Sequence, residues 1–210
     1  MPGQPQRLFL PGWGARGRLY HPGLPADWTA LQAPRFGSSF DTHLRWIVAE
    51  LDRRSRAVEL AGHSMGGALA IAAAAARPDR VSRLVLISPA GLPLSKPMTL
   101  SLAEFARGVL LGRYPWGEVA GSVAMTLRAP RDAYRLARAV HGADLTAEMT
   151  AVRDAGIPTT VVGCDSDTLV TVAHCRSIAT LLGAGYRELT LGGGHMWMLG
   201  AWPRLARELA

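Results

Sequence analysis

The sequence predicts an α/β protein, a mostly parallel sheet of about six strands flanked by helices, with a helical insert. Three observations carry this. Short apolar runs alternate with longer stretches of helical spacing from residue 7 onward, the pattern of strands joined by helical crossovers. Around residues 60–70, LAGHSMGGALA, an apolar run turns into an alanine-rich one across a serine set between glycines. From residue 91 to about 153 the alternation stops, and only helical patterns follow one another.

The elements follow in order. RLFL (7–10) is the first strand, and WTALQA (28–33) the second. FDTHLRWIVAELDRR begins a helix over about 40–53, because Phe40, Leu44, Ile47, Val48 and Leu51 share one face. AVELA (57–61) is short and mostly apolar, as a buried strand is. The alanines after Met65 favour a helix over about 66–77. RLVLIS (83–88) is the next strand, then the insert, whose segments LSLAEFARGVLLGRYPWG, GSVAMTLR and PRDAYRLARAVHGA are all helical in pattern. Placed between two sheet strands, these helices are expected to form a lid over the C-terminal strand ends, where open α/β sheets bind ligands. TTVVG (159–163), a helix over about 170–182, RELTL (187–191) and a helix over about 197–209 complete the chain. The whole is expected to be one domain, 1–210, with the insert at about 91–153.

Bulk properties exclude several classes. With 210 residues, 49% apolar and 19% charged, the chain can bury a sizeable core and is not a disordered tail. Its net charge is +7. The arginines are scattered singly, with no interleaved basic and aromatic stripe, so a surface role is expected and no nucleic-acid partner. Two cysteines, Cys164 and Cys175, are too few for a disulfide framework and fit a reducing compartment. The opening MPGQPQRLFLPGWG has prolines and glycines where a signal peptide needs an apolar core. The uncharged stretch at 65–76 is too short and small-sided to span a bilayer. A cytoplasmic protein without a membrane span is expected.

The chemistry centres on Ser64. A strand that turns sharply into a helix needs small neighbours and forces the turning residue into a strained conformation. The strain exposes a hydroxyl above the sheet edge, and G-x-S-x-G in a strand–turn–helix context is the nucleophile elbow. A hydroxyl is a weak nucleophile until a base takes its proton, and the base needs an orienting acid. His195 follows a strand, lies in the glycine loop GGGHMWML and precedes a helix, so it is the expected base. His174 falls within a helix, His141 in the insert, His43 on an early helix and His21 in an early loop. His63 adjoins Ser64, but neighbours on a sharp turn diverge, so its ring belongs behind the site. The acid is Asp167 or Asp165 in VVGCDSDTLV, with Asp167 favoured because Thr168, Leu169 and Val170 can seat its loop. Either aspartate can instead cap the following helix. The oxyanion formed in acyl transfer needs N–H donors. One is Met65, after the nucleophile. The other is Trp13, in LPGWGARG, where flanking glycines let the backbone approach a ligand.

These motifs together resemble the α/β-hydrolase fold superfamily, in particular its small lidded serine esterases. The similarity runs along nearly the whole chain: LFLPGWG, APRFGSSF (33–40), GHSMGG, RLVLISPAG, GCDSDTLVT and GGGHMWML, in the family's order. The resemblance implies Ser64 as nucleophile, Asp167 as acid, His195 as base, and Trp13 and Met65 as oxyanion donors. Two departures stand out. Pro11-Gly12 replaces the usual His-Gly, whose histidine helps hold the oxyanion loop. The chain also begins almost at the family's third strand, so the usual first two are lacking; either the domain is minimal or the start lies upstream. The implied sheet order leaves strand 28–33 at an edge, where Pro34 would blunt it.

The sequence therefore points to a serine hydrolase using neither metal nor cofactor, which cleaves a small-molecule carboxylic ester or thioester through an acyl-enzyme. Leu110, Leu111, Trp116 and Met125 are expected to favour an acyl group of modest apolar character. Arg128, Arg131, Arg135 and Arg138 are expected to form a solvated face, with an acidic or phosphate-bearing substrate as the alternative. Two rivals remain. The same triad can serve cofactor-free perhydrolysis or acyl transfer, or the fold can be a non-catalytic ligand-binding protein.

Overall fold

Six parallel strands form one sheet in the order β2-β1-β3-β4-β5-β6, in a computed structural model that describes residues 6–32, 39–111 and 116–209. The strands are β1 (Arg7–Leu10), β2 (Trp28–Ala30), β3 (Val58–His63), β4 (Val81–Ile87), β5 (Thr159–Cys164) and β6 (Gly185–Leu189). Both faces of the central strands are buried. Leu84 and Leu86 of β4 pack into one apolar layer, and Val85 and Ile87 into the other. β2 is an edge strand, as expected, but only three residues long. Pro34 and the rest of residues 33–38 lie outside the described residues, as does most of the APRFGSSF motif.

Helices α1 (Phe40–Asp52), α2 (Met65–Ala76), α6 (Thr146–Asp154) and α7 (Val172–Leu182) cover one face. Ser39 caps α1, its Oγ accepting from Thr42 N–H at 3.3 Å, and Ile47 and Leu51 are the buried side of its apolar stripe. α2 is buried nearly all round. Its alanines let it sit flat on the sheet between α1 and α6. Leu19, Tyr20 and Trp28, with Met196, Trp197 and α8 (Trp202–Leu209), cover the opposite face.

The β4–β5 connection carries α3 (Met98–Leu111), α4 (Trp116–Arg128), α5 (Pro130–His141) and α6. The first three lie near the C-terminal strand ends. α6 instead packs on α2 and α7, with Met149 and Val152 in the main core, so it is an ordinary crossover helix.

Several boundaries differ from expectation, three of them for a local reason. β6 pairs Gly185 to Leu189 with Thr160 to Cys164, two residues before RELTL, because the left-handed Gly183 ends α7 and only Ala184 separates it from the strand. α7 begins at Val172, not 170, because Thr171 is its cap, accepting from His174 N–H. The last helix is split. A tight turn spans Gly194–Gly200 and α8 starts at Trp202, with Pro203 in its first turn, where a missing N–H costs nothing.

Candidate active site

Ser64 lies between β3 and α2 with φ 55° and ψ −119°, a left-handed backbone that a residue with a side chain adopts only under strain. The turn is held by Ser64 N–H donating to Ile87 C=O at 3.1 Å and by Ala90 N–H donating to Ser64 C=O at 3.0 Å. Its tightness explains the flanking glycines. A Cβ on Gly62 would lie 2.3 Å from the Gly66 carbonyl oxygen, and one on Gly66 would lie 2.1 Å from that of Leu10.

His195, at the start of the turn after β6, brings Nε2 to 2.9 Å from Ser64 Oγ. Its Nδ1 lies 2.9 Å from Oδ2 of Asp167. A carboxylate only accepts, so Nδ1 carries the proton and Nε2 is left to accept from the Ser64 hydroxyl. Asp167 is 2% exposed. Its other oxygen accepts from Leu169 N–H at 3.0 Å and Val170 N–H at 2.9 Å, and the Ser88 hydroxyl also bonds the carboxylate. Burial alone would raise the Asp167 pKa, but the charge and hydrogen bond of His195, with those of Ser88 and Val170, outweigh it and hold the carboxyl below its usual range. Asp165 is exposed and accepts from Leu191 N–H at 3.1 Å. Of the two aspartates, it is Asp167 that meets His195.

Trp13 sits in the loop after β1. Its indole Nε1–H donates to the Ala133 carbonyl on α5 at 3.0 Å, and its ring meets Phe105 of α3 edge-on at 5.4 Å. Met65 is the first residue of α2, so its N–H has no acceptor within the helix. His141 also borders the site, with its Nε2 bonded to Lys96 C=O at 2.8 Å. Sequence reasoning passed over Ser88. It is fully buried at φ 40°, and its Oγ accepts from Trp197 Nε1–H at 3.0 Å, so it ties the His195 turn to the Asp167 loop. The serine of ISPAG at a strand end was the available clue.

Ser64 and His195 border a chamber of about 70 Å³. Trp13, Leu102 and Phe105 separate it from an apolar pocket of about 370 Å³ between α3 and α4, lined also by Val119, Val123 and Leu127. A wide cleft of about 980 Å³, lined by Arg16, Arg18, His21 and Arg128 together with Ala124 and Met125, touches neither Ser64 nor His195. Two of the apolar residues expected at the site, Trp116 and Met125, are placed elsewhere. Trp116 is 56% exposed and borders none of these three cavities, and Met125 lines the wide cleft beside Arg128. The side chains of Leu110 and Leu111 lie outside the described residues. Among the described residues no three His, Cys, Asp or Glu side chains group as a metal site would. No described helix is long and apolar enough to cross a membrane.

Comparison with known proteins fits this architecture. A thermophilic esterase of known structure superposes with a TM-score of 0.76 at 17% identity, over 98% of this chain and 88% of its own. The enol-lactonase from Burkholderia xenovorans LB400 gives 0.73 at 18% identity, over 99% and 90%. A putative non-heme bromoperoxidase, BpoC from Mycobacterium tuberculosis H37Rv, gives 0.67 at 19% identity, over 99% and 91%. At such identities the likeness is one of fold. No curated protein sequence matches. The model of the alpha/beta hydrolase family matches residues 8–208, nearly the full chain, and with the parallel sheet and its serine turn this makes the protein a member of the alpha/beta hydrolase family.

Proposed function

We propose that the protein is a serine hydrolase that cleaves a small-molecule carboxylic ester or thioester through an acyl-enzyme. The observation that supports it most is the unbroken contact from Ser64 Oγ through His195 to Asp167, 2.9 Å at each step. In this reading Ser64 Oγ attacks the carbonyl carbon as His195 Nε2 takes its proton. Asp167 holds the ring and stabilises its charged form. The N–H groups of Trp13 and Met65 receive the oxyanion. His195 then returns the proton to the leaving oxygen or sulfur, and the alcohol or thiol departs. Water, deprotonated by His195, attacks the acyl-enzyme, and Ser64 recovers its proton as the acid leaves.

Helices α3–α5 serve as a lid in this reading. The apolar pocket behind Trp13 and Phe105 supports an acyl group of apolar character, longer than the chamber at Ser64 alone could take. The two cysteines, both free and buried, suit the reducing cytoplasm.

The test is labelling with a fluorophosphonate, followed by ester turnover in Ser64→Ala. Wild-type protein should label at Ser64, and the variant should lose about 10⁴–10⁶ in kcat with its fold intact. Near-wild-type turnover by Ser64→Ala would falsify the mechanism. Adding hydrogen peroxide or an alcohol to the assay separates hydrolysis from perhydrolysis and acyl transfer by the product formed.

A further inference from the structure

Behind the loop that follows β1 runs a chain of three hydrogen bonds that the hydrolytic steps above do not use. Gly12 N–H donates to Tyr20 Oη at 3.1 Å. Tyr20 Oη lies 2.9 Å from His63 Nδ1, and His63 Nε2 lies 3.3 Å from the carbonyl oxygen of His195. Both side chains are buried. Each link has one direction. A carbonyl only accepts, so His63 carries its proton on Nε2 and donates it to His195. Burial, and then the charge on His195, hold His63 neutral down to about pH 3, so its Nδ1 is an acceptor. Tyr20 must therefore give its hydroxyl hydrogen to Nδ1, and its oxygen is left to accept from Gly12.

The loop rests directly on this pair. A Cβ on Gly12 would lie 3.0 Å from His63 Nδ1 and 3.4 Å from Tyr20 Oη. Pro11, next to it, has no N–H with which to hold the loop from its own position. At the other end the His63 ring stacks obliquely on that of His195, with centroids 4.9 Å apart.

We propose that Tyr20 and His63 are positioning residues for the hydrolytic site, locking the Gly12–Trp13 backbone to the backbone of His195. This rests on the hydrolytic reading of Ser64. Neither residue touches the reacting atoms. Fixing the Gly12 peptide sets the direction of the next N–H, that of Trp13, which receives the oxyanion. Fixing the His195 carbonyl keeps its Nε2 on Ser64 Oγ. One short network thus holds the oxyanion donor and the base in a common frame, and a misplacement of about 1 Å in such a frame costs about 100-fold in rate.

The experiment compares wild type, Tyr20→Phe, His63→Gln and His63→Ala. It measures kcat and KM for a p-nitrophenyl ester, and affinity for phenylboronic acid, whose tetrahedral adduct on Ser64 places an oxygen where the oxyanion forms. Tyr20→Phe keeps the ring and removes only the hydroxyl. It should lower kcat about 10–100-fold, leave KM within about twofold, and weaken the boronic acid by the same factor as kcat/KM. His63→Gln retains a donor for the His195 carbonyl and an acceptor for Tyr20, so it should retain more activity than His63→Ala. If His63→Ala does not fold, Tyr20→Phe decides alone. A Tyr20→Phe protein with kcat and boronic acid affinity within about twofold of wild type overturns the proposal. Wild-type protein that takes up neither fluorophosphonate nor boronic acid overturns the hydrolytic reading with it.

Discussion

Trp13 and Ala133 stand 120 residues apart in the chain, yet the indole N–H of the first donates to the carbonyl of the second at 3.0 Å. This bond ties the loop after β1 to α5. Trp13→Phe removes the donor while leaving an aromatic ring beside Phe105. A hydrogen bond of this kind contributes about 0.5–1.5 kcal/mol. If it steadies the loop proposed to receive the oxyanion, kcat should fall roughly 3–10-fold with KM for an acetyl ester little changed. Steady-state kinetics on that ester checks it, and an unchanged kcat would show that α5 does not steady the loop.

Asp167 and Asp165 can be told apart by substitution. Asp167→Asn should cost about 10⁴ in kcat, the size of loss when a triad aspartate in a serine protease becomes asparagine. Asp165→Asn keeps an amide oxygen that can still accept from Leu191 N–H and Cys164 Sγ, and should stay within about tenfold of wild type. The opposite ranking would move the orienting acid two residues upstream.

Chain-length preference should follow the lining of the apolar pocket. Phe105 lies between it and the chamber at Ser64, so Phe105→Ala should shift kcat/KM among acyl esters of increasing length. Each methylene accommodated or lost is worth about 1–3 kcal/mol. Trp116 borders neither cavity, so Trp116→Ala should leave the profile unchanged. A profile that moves with Trp116 and not with Phe105 would place the acyl group elsewhere.

Acid should destabilise the protein through His63. Its pKa falls from an ordinary 6.5 to about 3 in the fold. Between those values the unfolded chain binds a proton that the native state refuses. Stability is therefore complete above pH 6.5 and declines as pH falls toward 3, with a slope approaching about 1.4 kcal/mol per pH unit. The lowered pKa of Asp167 adds its own loss below the ordinary carboxylate range. Urea unfolding at a series of pH values measures this. His63→Gln should flatten the curve by close to one proton, and an unaltered curve would reject the assignment.

What the sequence disclosed, and what it hid, divide along one physical line. Ser64 was legible because its turn is so tight that Gly62 and Gly66 cannot carry a side chain, and such a demand writes itself at fixed spacing. His195 and the Asp165/Asp167 pair were legible because parallel strands deliver their C-terminal ends to one edge. Tyr20 and Ser88 were not. Their partners His63 and Trp197 lie 43 and 109 residues away, and no local pattern marks such contacts. The bounds of β6 were misjudged by two residues because its residues are largely exposed, and alternation is informative only where one face is buried. Trp116 looked like a pocket residue because apolarity alone does not say which side of a helix faces inward.

Ser64 holds φ at 55°, and a side chain in such a conformation costs of order 1–3 kcal/mol. Glycine adopts it freely. The serine proposed as the nucleophile thus sits in a backbone conformation better suited to glycine. Ser64→Gly is expected to melt higher than wild type. If Ser64 is the nucleophile, its hydroxyl is held at the expense of stability, and the strained turn and the chemistry have a common source.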